Sequence, residues 1–410
     1  MGFWSQSRDE IVTFREKALL IWMALRNGDW LAGDRTRFIV YMSAFMTVPL
    51  VLVSFATYFE AGLTNGRGNL LGEDFVNYWM GAKFAWLGNG AHVYDSTAFM
   101  SALQDFAHLP LDFHNYSYPP SLMLITLPLA FLPFVWAFGV WTVAGGLTVF
   151  ALVRSFWQTR PALLAMAAAP ATYLNVTGGQ NGALSAGFLG GGLLLLHRSP
   201  LIAGMLFGAL SYKPHLGVLI PVALACGGHW RAFASAFVTV LLLVGISAGL
   251  FGWEAWTAYG ERLVMMGGIL DAGGLEFWQR MPTPYVAARL YGFERESALW
   301  LHLPVALYAL SRVISVWRRS HELPSLKAAV LVLAMFLVTP YLWDYDMVVM
   351  IVIFAWRLHE GQLRAWEGSA LALVMILPYL LIIAVNVLNF AIGPLVLVFA
   401  LWVVSGRKFS

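Results

Sequence analysis

Six short polar clusters interrupt an otherwise apolar chain, and their residue types can move protons, bind anions and hydrogen-bond a polar ligand. They are Gly72-Glu73-Asp74-Phe75, His114-Asn115-Tyr116-Ser117-Tyr118-Pro119-Pro120, Gly178-Gly179-Gln180-Asn181, Tyr212-Lys213-Pro214-His215, Trp278-Gln279-Arg280 and Thr339-Pro340-Tyr341-Leu342-Trp343-Asp344-Tyr345-Asp346. Asp74 reads either as the N-cap of a helix starting at Phe75 or as a functional carboxylate, and one residue can do both. Glu73 and Asp74 are adjacent, so they point in different directions and do not form a glycosidase pair, whose carboxyl groups face each other. Lys213 lies between two short apolar runs. It either snorkels to the interface or holds an anion below the headgroup plane, where a lone cation is costly. Gln180 and Asn181 either cap a tight turn with Gly178, Gly179 and Gly182 or serve a ligand. Asp344 and Asp346 read as solvated loop charges, as caps of the next helix, or as site groups. The nine histidines are scattered with no HExxH or paired metal spacing, so no metal site is expected. A single cysteine, Cys226, allows no intrachain disulfide, thiolate cluster or redox pair.

The elements that must position these groups follow from composition. The 410 residues are 60% hydrophobic and only 11% charged, with a net charge of +3, against about 25% charged residues in soluble domains. This excludes a nucleic-acid binder, a cytosolic enzyme and a disordered scaffold. Continuous rather than alternating apolar runs argue against a β-barrel. The expected fold is an all-α polytopic membrane protein of about a dozen spans. They are placed near 38–59, 133–153, 161–176, 181–197, 200–212, 214–227, 232–252, 299–317, 325–341, 346–358, 369–386 and 391–406, as one domain covering 38–406. Three of them, 200–212, 214–227 and 346–358, are short and expected to be tilted, broken or set in a thinned region. Lys and Arg cluster at every second connection, which places both termini in the cytoplasm and 60–120 and 253–298 outside. The stretch 119–132, punctuated by Pro119, Pro120 and Pro128, is expected to dip part-way into the membrane. Helical periodicity predicts outer-surface helices around 75–86 and 99–107, and a cytoplasmic amphipathic helix within 1–37. No signal peptide is expected, since the first long apolar run starts near Phe38. With this topology all six polar clusters fall on the outer side, as one cavity would require. The two halves show no inverted repeat, which argues against a secondary transporter.

The order of these residues resembles glycosyltransferase family 87. The matching features are Asp74 with Tyr78, Gly90 with Tyr94, Tyr118-Pro119-Pro120 with Pro128-Leu129-Ala130 and Leu132-Pro133, Gly179-Gln180-Asn181, Lys213-Pro214 with Pro221, and the segment from Thr339-Pro340 to Asp346. The resemblance runs from about 70 to 350. Two positions depart from it: Trp79 stands where the family often has a second tyrosine, and Gly182 where it often has a second asparagine.

The resemblance implies a GT-C-like membrane fold and transfer of a sugar, with mannose the usual choice, from a polyprenyl-phosphate donor to a lipid or glycan hydroxyl on the extracytoplasmic face of the plasma membrane. The chemistry suits these residues. A phosphate ester leaves without a general acid, whereas an acceptor hydroxyl needs a general base, and a single displacement inverts the anomeric carbon. Asp74 is the candidate base. Lys213 is the first candidate for the donor phosphate, with Arg280 and His215 behind it. Glu73, Tyr118, Gln180, Asn181, Asp344 and Asp346 are candidate sugar and acceptor ligands, and Tyr116, Tyr118, Trp278, Tyr341 and Trp343 a stacking wall. No cofactor is expected. The alternatives are a transporter or flippase for a lipid-linked or small polar substrate, which would need a polar path to the cytoplasmic side, and a non-catalytic membrane assembly protein.

Overall fold

Helices beginning at proline set the framework of the protein. The computed structural model describes residues 14–31, 34–60, 63–65, 68–108, 111–157 and 169–406. Within them the chain is helical apart from its connections and a single Thr64–Leu70 bridge. An apolar chain in lipid has no water to satisfy its backbone, so helices are the expected outcome. Among the described residues six helices start at Pro120, Pro170, Pro200, Pro214, Pro284 and Pro324. Proline suits the first helical position, where its missing N–H costs nothing, and forces the preceding residue out of helical geometry. Two of these junctions carry site clusters: Tyr118-Pro119-Pro120 and Lys213-Pro214.

Four helices are long and apolar enough to cross a membrane among the described residues: Phe134–Arg154, Trp230–Phe251, Arg295–Trp317 and Glu367–Leu388. They are largely unburied by the rest of the protein, down to 6% of the apolar window for Trp230–Phe251, as lipid-facing helices should be. The shorter apolar helices divide: Pro200–Ala209 and Gly393–Ser405 expose Leu201, Ile202, Leu395 and Trp402, whereas another is wholly interior. Pro324–Val338 is buried at every position from Ser325 to Leu337, the expected behaviour of a helix that is apolar all round. At about 1.5 Å per residue it spans only about 22 Å.

Several expectations need correction. Of the dozen expected spans, four are full-length helices among the described residues, and seven further apolar helices are shorter, 10–17 residues. The expected span 214–227 is two pieces, Pro214–Gly217 and Ile220–Cys226. Of the expected span 161–176, the structure describes only the part within Pro170–Thr177, and 161–168 lie outside the described residues. The Phe75–Trp86 helix is no surface element: Phe75 through Ala82 are all buried. Its small and aromatic residues pack under the 111–118 segment and beside Pro120–Phe131, so its apolar periodicity reports a core rather than a membrane surface. Ser96–Ala107 does keep one buried stripe, Phe99 and Leu103. The stretch 119–132 forms the helical pieces Pro120–Thr126 and Leu127–Phe131, together about 18 Å long and too short to cross about 30 Å of hydrocarbon. The segment 253–298 is mostly helical: Trp253–Ala272, Gly274–Trp278 and Pro284–Leu290.

Near the N-terminus, helix Phe14–Asn27 exposes Leu19, Leu20, Ile21 and Trp22. It docks on the start of Glu367–Leu388, where Trp22 meets Trp366 edge-on at 5.7 Å and Ser369 Oγ donates to the Leu25 carbonyl at 2.6 Å.

Candidate active site

Two glycine turns meet and bring Asp74 to Gln180. Gly72 and Gly179 both adopt left-handed φ, +71° and +57°. A Cβ on Gly179 would lie 2.8 Å from the Gly72 carbonyl oxygen and 2.5 Å from the Phe75 Cβ, so only glycine lets the turns touch. The Trp141 indole N–H donates to the Gly179 carbonyl at 3.0 Å and to that of Gln180 at 3.3 Å, fixing the second turn. Asp74 occupies the N-cap position of Phe75–Trp86, yet its side chain makes no capping bond. Its Oδ2 instead accepts from Gln180 Nε2 at 2.6 Å and its Oδ1 from Asn77 Nδ2 at 3.3 Å. The carboxylate is therefore held by two amides, and the capping reading is set aside.

Lys213 is not the lone cation that its sequence setting suggests. Its ammonium donates to Asp346 Oδ1 at 2.6 Å and to Asn181 Oδ1 at 2.9 Å, and lies 4.5 Å from the centre of the Tyr345 ring. Lysine and aspartate are 2% and 0% exposed. Asp346 is thus no solvated loop charge: Lys213 holds one carboxylate oxygen, and the other, Oδ2, has no partner among the described residues. Arg280 grips Asp344 with two bonds of 3.2 Å, from Nε and Nη2. Asp344 is fully buried, while Arg280 keeps 24% exposure and lies 5.8 Å from the Trp343 ring. Trp343 and Tyr345 stack nearly parallel at 6.0 Å. Asp344 and Asp346 lie in a single 3-10 turn, so the two cations are tied to one segment. His215 enters the site region through its backbone, whose carbonyl accepts from Thr339 Oγ1 at 3.0 Å.

Glu73 lies behind Asp74 and accepts from the Tyr58 hydroxyl at 3.4 Å. Burial pushes its pKa above the ordinary glutamate value, the neighbouring Asp74 adds to the rise, and Arg280 opposes it. A carboxyl whose folded pKa is raised destabilises the fold as pH climbs from its unfolded towards its folded value. Glu73→Gln, which mimics the protonated form, is therefore expected to leave the melting temperature unchanged near pH 4 and raise it near pH 8; a shift equal at both values would contradict this. Burial lowers the pKa of His114, against the pull of Asp74 and Asp112. Its Nε2 is buried without a partner among the described residues. Tyr118 and Tyr78 share a hydroxyl–hydroxyl contact of 3.2 Å.

The expected aromatic wall divides. Tyr118 stays with the clusters above, and Trp343 bridges the two groups, stacking on Tyr345 while packing against the second hydrophobic cluster. Tyr341 and Trp278 pack with the second hydrophobic cluster, around Tyr285 and Val286, where the Tyr341 hydroxyl bonds Asp271 at 3.0 Å and the Trp278 indole donates to the Leu270 carbonyl at 2.9 Å. The Tyr116 ring is buried, with its hydroxyl unpartnered among the described residues.

Asn175 is a residue that sequence reasoning missed. Its Nδ2 donates to the Tyr345 carbonyl at 2.9 Å, and its Oδ1 accepts from the Ala183 N–H at 3.0 Å. It thereby joins the Gln180-Asn181 turn to the Asp344–Asp346 turn. This accounts for the departure at Gly182: a Cβ there would sit 2.2 Å from the Tyr345 carbonyl oxygen and 2.8 Å from Asn175 Oδ1. Gly182→Ala is expected to cost about 1–3 kcal/mol from overpacking against backbone, measured by unfolding in detergent, whereas an unchanged melting temperature would contradict this packing. Trp79, the other departure, turns away and donates to the Leu132 carbonyl at 3.1 Å.

Beside this polar cluster, an apolar cavity of about 270 Å³ is lined by Ile125, Pro128, Trp141, Val176, Leu184 and others, and Gln180 belongs to its wall. The fold and site define an all-helical membrane protein that holds carboxylates and cations together at one end of its short inner helices. The chain matches the model of glycosyltransferase family 87 over residues 116–340, more than half its length, and belongs to that family. It is therefore a membrane glycosyltransferase by family. The matched region is narrower than the resemblance read from the sequence, beginning after Asp74 and ending before Asp344. No curated protein and no solved structure matches the chain.

Proposed function

We propose that the protein transfers one sugar, mannose-like as a first assignment, from a polyprenyl-phosphate donor to a lipid or glycan hydroxyl on the extracytoplasmic face, with inversion. Gln180 carries the reading: it bonds Asp74 on one side and lines the apolar cavity on the other. Such a junction suits a donor whose sugar is polar and whose carrier is a hydrocarbon chain. In the reaction, Asp74 takes the proton of the acceptor hydroxyl as its oxygen attacks the anomeric carbon, and the bond from that carbon to the phosphate oxygen breaks. The departing phosphate gains charge, and a preorganised cation offsets it. The partners of each cation favour Arg280 over Lys213 for this role. Lys213 is neutralised by Asp346 in a fully buried pair, whereas Arg280 is part-exposed and its Nη1 is not used by Asp344. Arg280 therefore takes the donor phosphate, and Lys213 holds Asn181 and Asp346 in place for the sugar. Comparing membrane lipids and glycans of a strain with and without the gene by mass spectrometry tests the reading. One glycan or glycolipid lacking a single sugar residue is expected, and identical profiles would overturn it.

A further inference from the structure

The end of the bundle away from Asp74 carries a second cavity, of about 1000 Å³, that the transfer reaction does not use. Arg26, Arg312, Arg319 and Arg364 line it, with Tyr308 and Trp402 on its wall. Tyr308, Arg312 and Ser315 form one stripe of helix Arg295–Trp317, and Arg319 follows just past its end. Helix Pro324–Val338 separates this cavity from the candidate active site. It starts five residues beyond Arg319 and ends at Thr339, which bonds His215, about 22 Å away at helical rise.

The charge balance here is one-sided. Glu322 answers Arg319 at 3.1 Å and Arg364 at 3.3 Å, so four arginines against one glutamate leave three positive charges. The next carboxylates, Glu360 and Glu367, share the single cation of Arg357 at 3.2 and 2.8 Å, so the five arginines and three glutamates together leave two positive charges. Arg364 is 9% exposed, donates to the Val404 carbonyl at 2.5 Å, and keeps its Nε buried without a partner among the described residues. Arg312 donates from Nε to Ser405 Oγ at 2.8 Å. The apolar part of the wall continues outwards: Trp402 is 59% exposed, Phe399 lies 6.3 Å from it and is also exposed, as is Leu307, the residue before the wall residue Tyr308.

We propose that this cavity binds the headgroup of an anionic phospholipid, with guanidinium groups on the phosphate and the acyl chains along Trp402, Phe399 and Leu307. Basic pockets between membrane helices recognise such headgroups, and arginine suits phosphate through its planar fork of donors. The apolar wall favours a lipid over a free anion, which would have no use for it.

The test is thermal unfolding and native mass spectrometry of the full chain in detergent with phosphatidylglycerol, with phosphatidylcholine, or with inorganic phosphate at matched ionic strength. Phosphatidylglycerol is expected to raise the melting temperature and remain bound, while the other two do neither. Arg312→Gln with Arg319→Gln is expected to weaken phosphatidylglycerol about thirtyfold, and Arg26→Gln alone about fivefold. Arg26 is exposed and its guanidinium lies 5.4 Å from the Trp22 ring, so its variant keeps the test decisive if the double variant fails to fold. Equal stabilisation by phosphatidylcholine, an equal effect of inorganic phosphate alone, or undiminished binding to a folded variant would each overturn the proposal.

Discussion

Asp74→Asn is expected to lower sugar transfer by about 10²–10⁴-fold, the range for removing a general base, with folding intact. That loss equals about 2.7–5.5 kcal/mol of transition-state free energy. The reason to expect a folded variant lies in the partners. Asp74 makes no capping bond for Asn to lose. Gln180 donates its amide N–H to Asp74 while its own Oε1 has no partner among the described residues. A turn of the Gln180 amide would present that oxygen to the new N–H group, so the contact survives with donor and acceptor exchanged. Donor binding and melting temperature should stay near wild type while turnover collapses. Near-normal turnover would move the base elsewhere, with Glu73 next, whose carboxyl burial holds above the ordinary glutamate value.

Lys213→Ala is expected to show the largest loss of stability. It would strand Asp346, which is 0% exposed and loses the cation paired with it at 2.6 Å, and breaking a buried pair from one side costs about 3–5 kcal/mol. Removing both charges avoids the stranded ion. Lys213→Met combined with Asp346→Asn should therefore recover most of the stability, read from denaturation in detergent. A single variant as stable as wild type would mean that Lys213 serves only a substrate phosphate. If the double variant folds and binds donor normally while Arg280→Ala does not, Arg280 is the phosphate ligand.

Composition and apolar run length made the membrane class legible, and the proline and glycine punctuation marked where the helices break. The periodicity of Phe75, Tyr78, Trp79 and Ala82 announced a helix but could not say what covered it; a membrane surface and a protein interior select the same residues. Partnership was the least visible feature. Lys213 and Asp346 lie 133 positions apart, and Asp74 and Gln180 lie 106 apart, and no local pattern encodes such a pairing. The polar clusters could be named one by one, yet whether a carboxylate meets substrate or a lysine depends on tertiary contacts. Asn175 was overlooked because its immediate neighbours, Leu174 and Val176, are apolar, and its work on the Tyr345 carbonyl is visible only in three dimensions. The transporter alternative gave way to the family match.

The most direct measurement is transfer by the purified protein in nanodiscs, comparing a synthetic polyprenyl-phosphate mannose with the corresponding nucleotide sugar and reading the anomeric configuration of the product by NMR. The predicted result is transfer from the lipid-phosphate donor alone, with inverted configuration and with loss of turnover in Asp74→Asn. Transfer from the nucleotide sugar alone, or a product of retained configuration, would contradict it.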